Sequence, residues 1–290
     1  MDRADMEWRA AAEANRVIRD RNITELPVDP IALARDIGIE VQAKPAWAGG
    51  FSGMLMRVGS EYGIVYATHI DNPGFQNFSV AHELGHYYMP GHVAAVFRNG
   101  NTHQSRAGQW SDDPFELEAD HFAAALLMPD ALFGEALGTA GIGLAAIETL
   151  SARCVTSLTA TAIRYAQRTD DAVAVVVSLG KLVNFCFMSP TLLEVAGSNR
   201  INKKDKLPPG TETCEFNKDE GRVRRGERAE GTSDLQDWIG GRHSVELREE
   251  VVGLGGWGRT LTVLTAQDLP DLDAEREDDE IVESWKPRLR

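Results

Sequence analysis

The chain has 290 residues, with 44 acidic against 30 basic side chains and a formal net charge of -14. That length holds one large domain or two ordinary ones. The 43% hydrophobic and 26% charged content belongs to a globular protein rather than a disordered or fibrous one, and the surplus of acid argues against broad capture of a nucleic-acid backbone. Three cysteines, Cys154, Cys186 and Cys214, are too few and too far apart for a disulfide framework or a cysteine-based zinc site, and they read as reduced thiols. The opening MDRADMEWRAAAEANRVIRD has no continuous apolar stretch, and no run of 18 apolar residues occurs. The expected location is the cytoplasm, with no membrane association.

In chain order, Trp8, Ala11, Ala12 and Ile18 recur at helical spacing and predict a first helix over 4–20. PVDPIALARDIG predicts a second: Asp29 can accept from free N–H groups, Pro30 suits the first turn and Gly38 the exit. Strands are expected at Ile39 to Ala43, Gly53 to Val58 and Tyr62 to Ala67, forming a small sheet. A helix near Asn77 to Tyr88 follows, stopped by Pro90-Gly91, and a polar loop runs to Ser111. Asp113-Pro114 opens the next helix, which runs to Pro129, and Ala-rich helical segments continue to Arg168.

After Thr169-Asp170-Asp171 the pattern changes to β-branched and aromatic runs, AVAVVVSL and LVNFCFM, about a Gly180-Lys181 turn. A boundary near residue 170 is therefore expected, with residues 1–170 and 171–290 as separate domains. The polar stretch from Asn199 to Arg228 reads as a solvated loop despite its basic groups. VELREEVV and RTLTVLTA are further strand candidates, and Asp268 to Glu283 reads as an acidic, weakly packed tail that holds much of the surplus charge. The fold class is α+β: a catalytic domain with a small twisted sheet packed on helices, then a smaller β-rich domain.

His82-Glu83-Leu84-Gly85-His86 carries the chemistry. Residues four apart share a helix face, so both imidazoles can reach one metal ion while Glu83 approaches its water. Two imidazoles and a carboxylate suit zinc, with manganese as the alternative cofactor, and Glu83 is the expected general base for hydrolysis of a peptide bond. Two residues compete as third ligand. His92 completes HELGHYYMPGH, but Met89 stands where a sharp turn would want glycine, and it precedes proline, which favours extended geometry. Glu116, in Glu116-Leu117-Glu118-Ala119-Asp120, is the favoured rival, with Asp120 supporting a ligand histidine from behind. The spacing Asp113-x-x-Glu116 also fits a capping box. Glu118, turned roughly 200° from Glu116, should face elsewhere.

LPVDPIALARDIGIEV, FSGML, NFSVAHELGHYYM and FELEADHFAAALLMP together resemble the ImmA/IrrE family of bacterial metallopeptidases, over most of residues 25 to 130. The resemblance implies a zincin-like endopeptidase with His82, His86 and Glu116 as metal ligands, Glu83 as base and Asp120 behind the ligands. It also implies a protein substrate, a helix-turn-helix repressor of the Xre type, cut in a stress or mobile-element response. Gly74-Phe75-Gln76 departs from the basic residues frequent before the active helix, and Asp120 stands where asparagine is frequent. The competing function is a metal-stabilised regulatory protein that binds its partner without cutting it.

Several other signals carry less weight. LAAIETLSARCVTSLTATAIRY resembles a helix-turn-helix, yet few basic residues lie on the would-be recognition helix, so packing is the expected role. Gly253, Gly255 and Gly258 fit G-x-G-x-x-G but lead into a strand where a dinucleotide site needs a helix. His103 could donate to an oxyanion, although an exposed loop histidine is the plainer reading. Cys186 reads as a buried apolar filler, and Trp238 and Trp257 as core or interface aromatics.

Overall fold

A computed structural model describes residues 3–45, 50–106, 111–241, 244–266 and 268–269. The chain divides into two compact units, Met1–Gly141 with Ala145–Thr161, and Ile142–Leu144 with Ala162–Arg290. Its class is α+β.

The first unit opens with helix α1 (Arg3–Asp20) and α2 (Pro30–Asp36). Met6, Ala10, Ala14, Val17 and Ile18 form the buried stripe of α1, whereas Trp8 is 73% exposed. The small alanines let α1 approach its neighbours closely; the bulky Trp8 falls outside that stripe. In α2 the expected cap is present: Asp29 accepts from the N–H groups of Ile31 and Ala32, both at 2.9 Å.

Strands β1 (Glu40–Lys44), β2 (Gly53–Val58) and β3 (Glu61–Ala67) precede helix α3 (Pro73–Tyr88). That helix starts a turn earlier than the sequence pattern predicts. Asn72 caps it by accepting from Phe75 N–H, and Pro73 occupies its first turn. The segment expected to be a plain loop holds a short helix α4 (His92–Val96) and a strand β4 (Thr102–Ser105). Four residues are too few to stand out by alternation; β4 exists because β2 offers it a partner, with Leu55 opposite His103. The sheet order is β1-β3-β2-β4, with β1 parallel to β3 and the other pairs antiparallel.

Helix α5 (Pro114–Leu127) follows, then α6 (Asp130–Leu137), α7 (Gly143–Cys154) and α8 (Leu158–Arg168). Leu55 and Ile64 of the sheet, Val80, Ala81 and Leu84 of α3, and Phe122, Ala123, Leu126 and Leu127 of α5 share one core with Ala10, Ala14 and Val17. At roughly 1.5–3 kcal/mol for each large apolar side chain taken out of water, this core dominates the stability of the unit. It also fixes α3 between the sheet and α5.

In the second unit β5 (Val173–Leu179) and β6 (Leu182–Met188) form the expected hairpin, with Gly180 at φ 55° in its turn. Helices α9 (Pro190–Ala196), α10 (Glu212–Phe216) and α11 (Glu220–Arg225) come next, then strand β7 (Arg228–Asp234) and helix α12 (Leu235–Ile239). Much of the presumed solvated loop is thus ordered, in helices too short to show a period. Strands β8 (Glu246–Gly253) and β9 (Arg259–Ala266) complete an antiparallel sheet of order β6-β5-β9-β8-β7.

Trp238 belongs to the core of this unit, but Trp257 is 67% exposed. The acidic tail, beyond Asp268 and Leu269, lies outside the described residues. Among the described residues no helix is long and apolar enough to cross a membrane.

Candidate metal centre

The site lies where α3, α5 and β4 meet. Gly85 of α3 faces Ala119 of α5 so closely that a Cβ on Gly85 would stand 3.0 Å from the Ala119 Cα and 3.1 Å from its carbonyl oxygen. Two small residues at this crossing bring the backbones together, and the same proximity carries Glu116, one turn before Ala119, to the histidines of α3.

The Nε2 atoms of His82 and His86 are 3.1 Å apart. Glu116 reaches both, with Oε2 at 3.3 Å from His82 Nε2 and Oε1 at 3.4 Å from His86 Nε2. Among the described residues these three form the group whose donor atoms lie close enough to hold a metal ion, all within 4.8 Å of one another. The spacing fits: ligands at about 2.0–2.1 Å from a tetrahedral ion are separated by roughly 3.3–3.4 Å. The donor chemistry, two imidazoles and one carboxylate, suits a divalent metal ion.

Behind His82, Asp120 Oδ1 accepts from Nδ1–H at 2.8 Å, which leaves Nε2 free to face the cluster. Burial alone would depress the His82 pKa, but the hydrogen bonds to Asp120 and Glu116 outweigh it and raise the value to about 10. His86, more weakly compensated, is pulled by burial down to about 3. Burial opposes ionisation of Glu116, yet hydrogen bonds with His103, His82 and His86 hold it well below the usual carboxylate range.

Glu83 is fully buried, and neither carboxylate oxygen has a hydrogen-bond partner among the described residues. Its pKa is pushed up to about 7, chiefly by burial, against the pull of His82 and His103. Room for this side chain comes from Gly53 on β2, where a Cβ would lie 2.5 Å from Glu83 Oε1. A buried, unpartnered carboxylate beside a set of metal donors is costly unless something polar enters the site. An ion with its water meets that requirement.

The rival ligand His92 lies elsewhere. Met89 is extended, at φ -67° and ψ 129°, as a residue before proline should be, and the reversal falls at Gly91 with φ 87°. His92 therefore returns beside α3, where its Nδ1 is 3.2 Å from His86 Nδ1, on the side of that ring opposite Nε2. Glu118 is buried against it, with Oε2 at 2.9 Å from His92 Nε2. Helical rotation had turned Glu118 away from Glu116 and Asp120; sequence alone did not reveal what it faces.

One alternative falls and one expectation changes. Glu116 does not close a capping box, since its carboxylate is directed to the histidines while Asp113 accepts from Phe115 N–H. His103 is no bare loop residue: it sits on β4, half-buried, with Nε2 at 2.9 Å from Glu116 Oε1 and its ring edge-on to His86. The pairing of β4 with β2 was the missing information.

Residues 34–165, a little less than half the chain, match the family model described as IrrE N-terminal-like domain, Peptidase_M78. No protein of curated function matches the chain. Among solved structures it is similar to a Mycobacterium tuberculosis transcriptional regulator, at 15% identity and a TM-score of 0.54, over 90% of this chain and 76% of that one. At that identity the likeness is one of fold.

Proposed function

We propose, from the match of residues 34–165 to the IrrE N-terminal-like domain model, that the chain is a metal-dependent endopeptidase in which His82, His86 and Glu116 hold the ion. Glu83 is the general base, and Asp120 orients His82. The observation that carries this reading is the convergence of the two Nε2 atoms and the Glu116 carboxylate beside a buried acid without a partner. Zinc is the ion we favour, on the donor set, with manganese as the alternative.

A divalent ion at this site supplies Lewis acidity, polarising the scissile carbonyl and making water easier to deprotonate. Glu83 takes the proton from the attacking water and passes it to the departing amine nitrogen. A pKa near 7 suits both steps, because the group must accept and then release a proton close to neutrality. His103 Nε2, beside Glu116 on β4, would offer an N–H to the charge that develops on the carbonyl oxygen. Residues 1–170 carry the activity in this reading, and 171–290 regulate access or recruit a partner. The substrate we propose is a helix-turn-helix repressor of the Xre type, and the compartment is the cytoplasm.

The test uses purified chain with zinc or manganese and the repressor encoded beside its gene. The parent protein should cut the repressor at a defined bond. Glu83→Gln should retain the ion and lose about 10²–10⁴-fold in rate, the usual worth of a positioned base; undiminished cleavage by that variant would remove Glu83 from the role. Binding of the repressor without any cutting by the parent chain would favour a metal-stabilised binding protein instead.

A further inference from the structure

The two ligand histidines are supported differently from behind. His82 donates directly to Asp120, a partly buried carboxylate. His86 has no carboxylate at its Nδ1; it meets the Nδ1 of another histidine, His92, at 3.2 Å. His92 Nε2 is 2.9 Å from Glu118 Oε2, and Glu118 Oε1 is 2.9 Å from the Arg9 guanidinium on α1. His86 and His92 are fully buried and Glu118 is 3% exposed.

With Glu118 ionised beside Arg9 and His92 neutral, one arrangement of hydrogens satisfies this row. Arginine donates and never accepts, so Glu118 receives from Arg9 as a carboxylate. The other Glu118 oxygen then accepts from His92 Nε2–H. With Nε2 protonated, a neutral His92 presents a lone pair at Nδ1, which accepts the hydrogen from His86 Nδ1–H. His86 is left with its free lone pair on Nε2, the atom that faces His82 Nε2 and Glu116.

From this we infer that His92, Glu118 and Arg9 form a positioning relay that fixes the tautomer and ring plane of His86 for metal binding. The inference rests on the metal-centre reading above. It assigns a function to the histidine that otherwise competes as a third ligand, and to the acid that faces away from the cluster. The relay is anchored by α1, so the first helix of the chain takes part in preparing a ligand on α3. His92 is also held edge-on by Phe115 of α5, with centroids 4.9 Å apart, which restrains its ring from the side.

The relay can be tested without any substitution. In the zinc-loaded chain, long-range ¹H–¹⁵N correlation spectra should show His86 protonated at Nδ1 and His92 at Nε2; the opposite tautomer at His92 overturns the relay. Substitution gives a second measurement. His92→Phe keeps a ring in the space, and should weaken zinc by about 10–100-fold, as loss of a partner behind a ligand does. It should also shift the visible absorption of the cobalt-substituted protein, with circular dichroism reporting the retained fold.

Glu118→Gln keeps the size of the side chain and should shift the same bands by less. His92→Phe with unchanged zinc affinity and cobalt spectrum, in a parent chain that binds one ion tightly, overturns the relay while leaving the metal centre intact. A parent chain that binds neither ion overturns the metal-centre reading itself and the relay with it. Should His92→Phe fail to fold, the tautomer measurement on the parent chain still decides.

Discussion

Glu83 shows what a single position can require of its surroundings. A carboxylate without partners is held in place by shape, and the shape is supplied by Gly53, where any Cβ would overlap Oε1 at 2.5 Å. Gly53→Ala should therefore displace the carboxylate and reduce the cleavage rate at least tenfold, while zinc content stays at the parent value because the atoms nearest that Cβ are those of Glu83. The cost in stability should be about 1–3 kcal/mol, that of overpacking a tight site, readable as a lower denaturation midpoint. Loss of zinc together with activity would show that the damage spreads beyond Glu83. At this scale the sequence was most legible where four-residue spacing on a helix settles the geometry, as in His82 and His86. Gly53 could be seen as the start of a strand but not as the roof over Glu83, since that contact joins residues 30 apart through tertiary packing.

Helices α3 and α5 form the element pair on which the ligand set depends. Their crossing leaves little room at Gly85, where a Cβ would press on the Ala119 backbone at 3.0–3.1 Å, and backbone cannot turn aside as a flexible side chain can. Gly85→Ala gains about 1 kcal/mol in helix propensity but must push α5 outward. We expect net destabilisation of roughly 1–2 kcal/mol from overpacking, with weaker zinc binding because Glu116 moves with α5. Gly134 in α6 is the control: a Cβ there meets nothing within 4 Å, so Gly134→Ala should stabilise by about 0.5–1 kcal/mol and leave zinc affinity alone. Calorimetry and a chromophoric chelator competition check both variants. The long helices were legible because caps and apolar spacing agree, as at Asp113-Pro114. Strand β4 and the short helices of the second unit were not, because four to seven residues hold too little pattern and their partners are distant in sequence.

Over the whole molecule, Cys154, Cys186 and Cys214 form no disulfide, so an ion held by His82, His86 and Glu116 would be the cross-link between distant segments of the first unit. At free zinc about 100 times its dissociation constant, binding adds about 2.7 kcal/mol to the folded state. Chelation should then lower the melting temperature of that unit by roughly 5–10 °C, at 2–4 °C per kcal/mol for a domain of this size; an unchanged transition would mean that the site holds no ion in the folded chain. The α+β class was legible from the change of pattern after residue 170, whereas the sheet orders were not, since they depend on which strands meet after the chain doubles back. The contact between Arg9 and Glu118 spans 109 residues. During synthesis at about 5–20 residues per second, the first helix emerges roughly 5–20 s before α5 can meet it. In about the last third of that interval the HELGH segment is present, but Glu116 and the support behind His86 are incomplete. The three donors can therefore converge only after α5 has been made and has packed against α1 and α3.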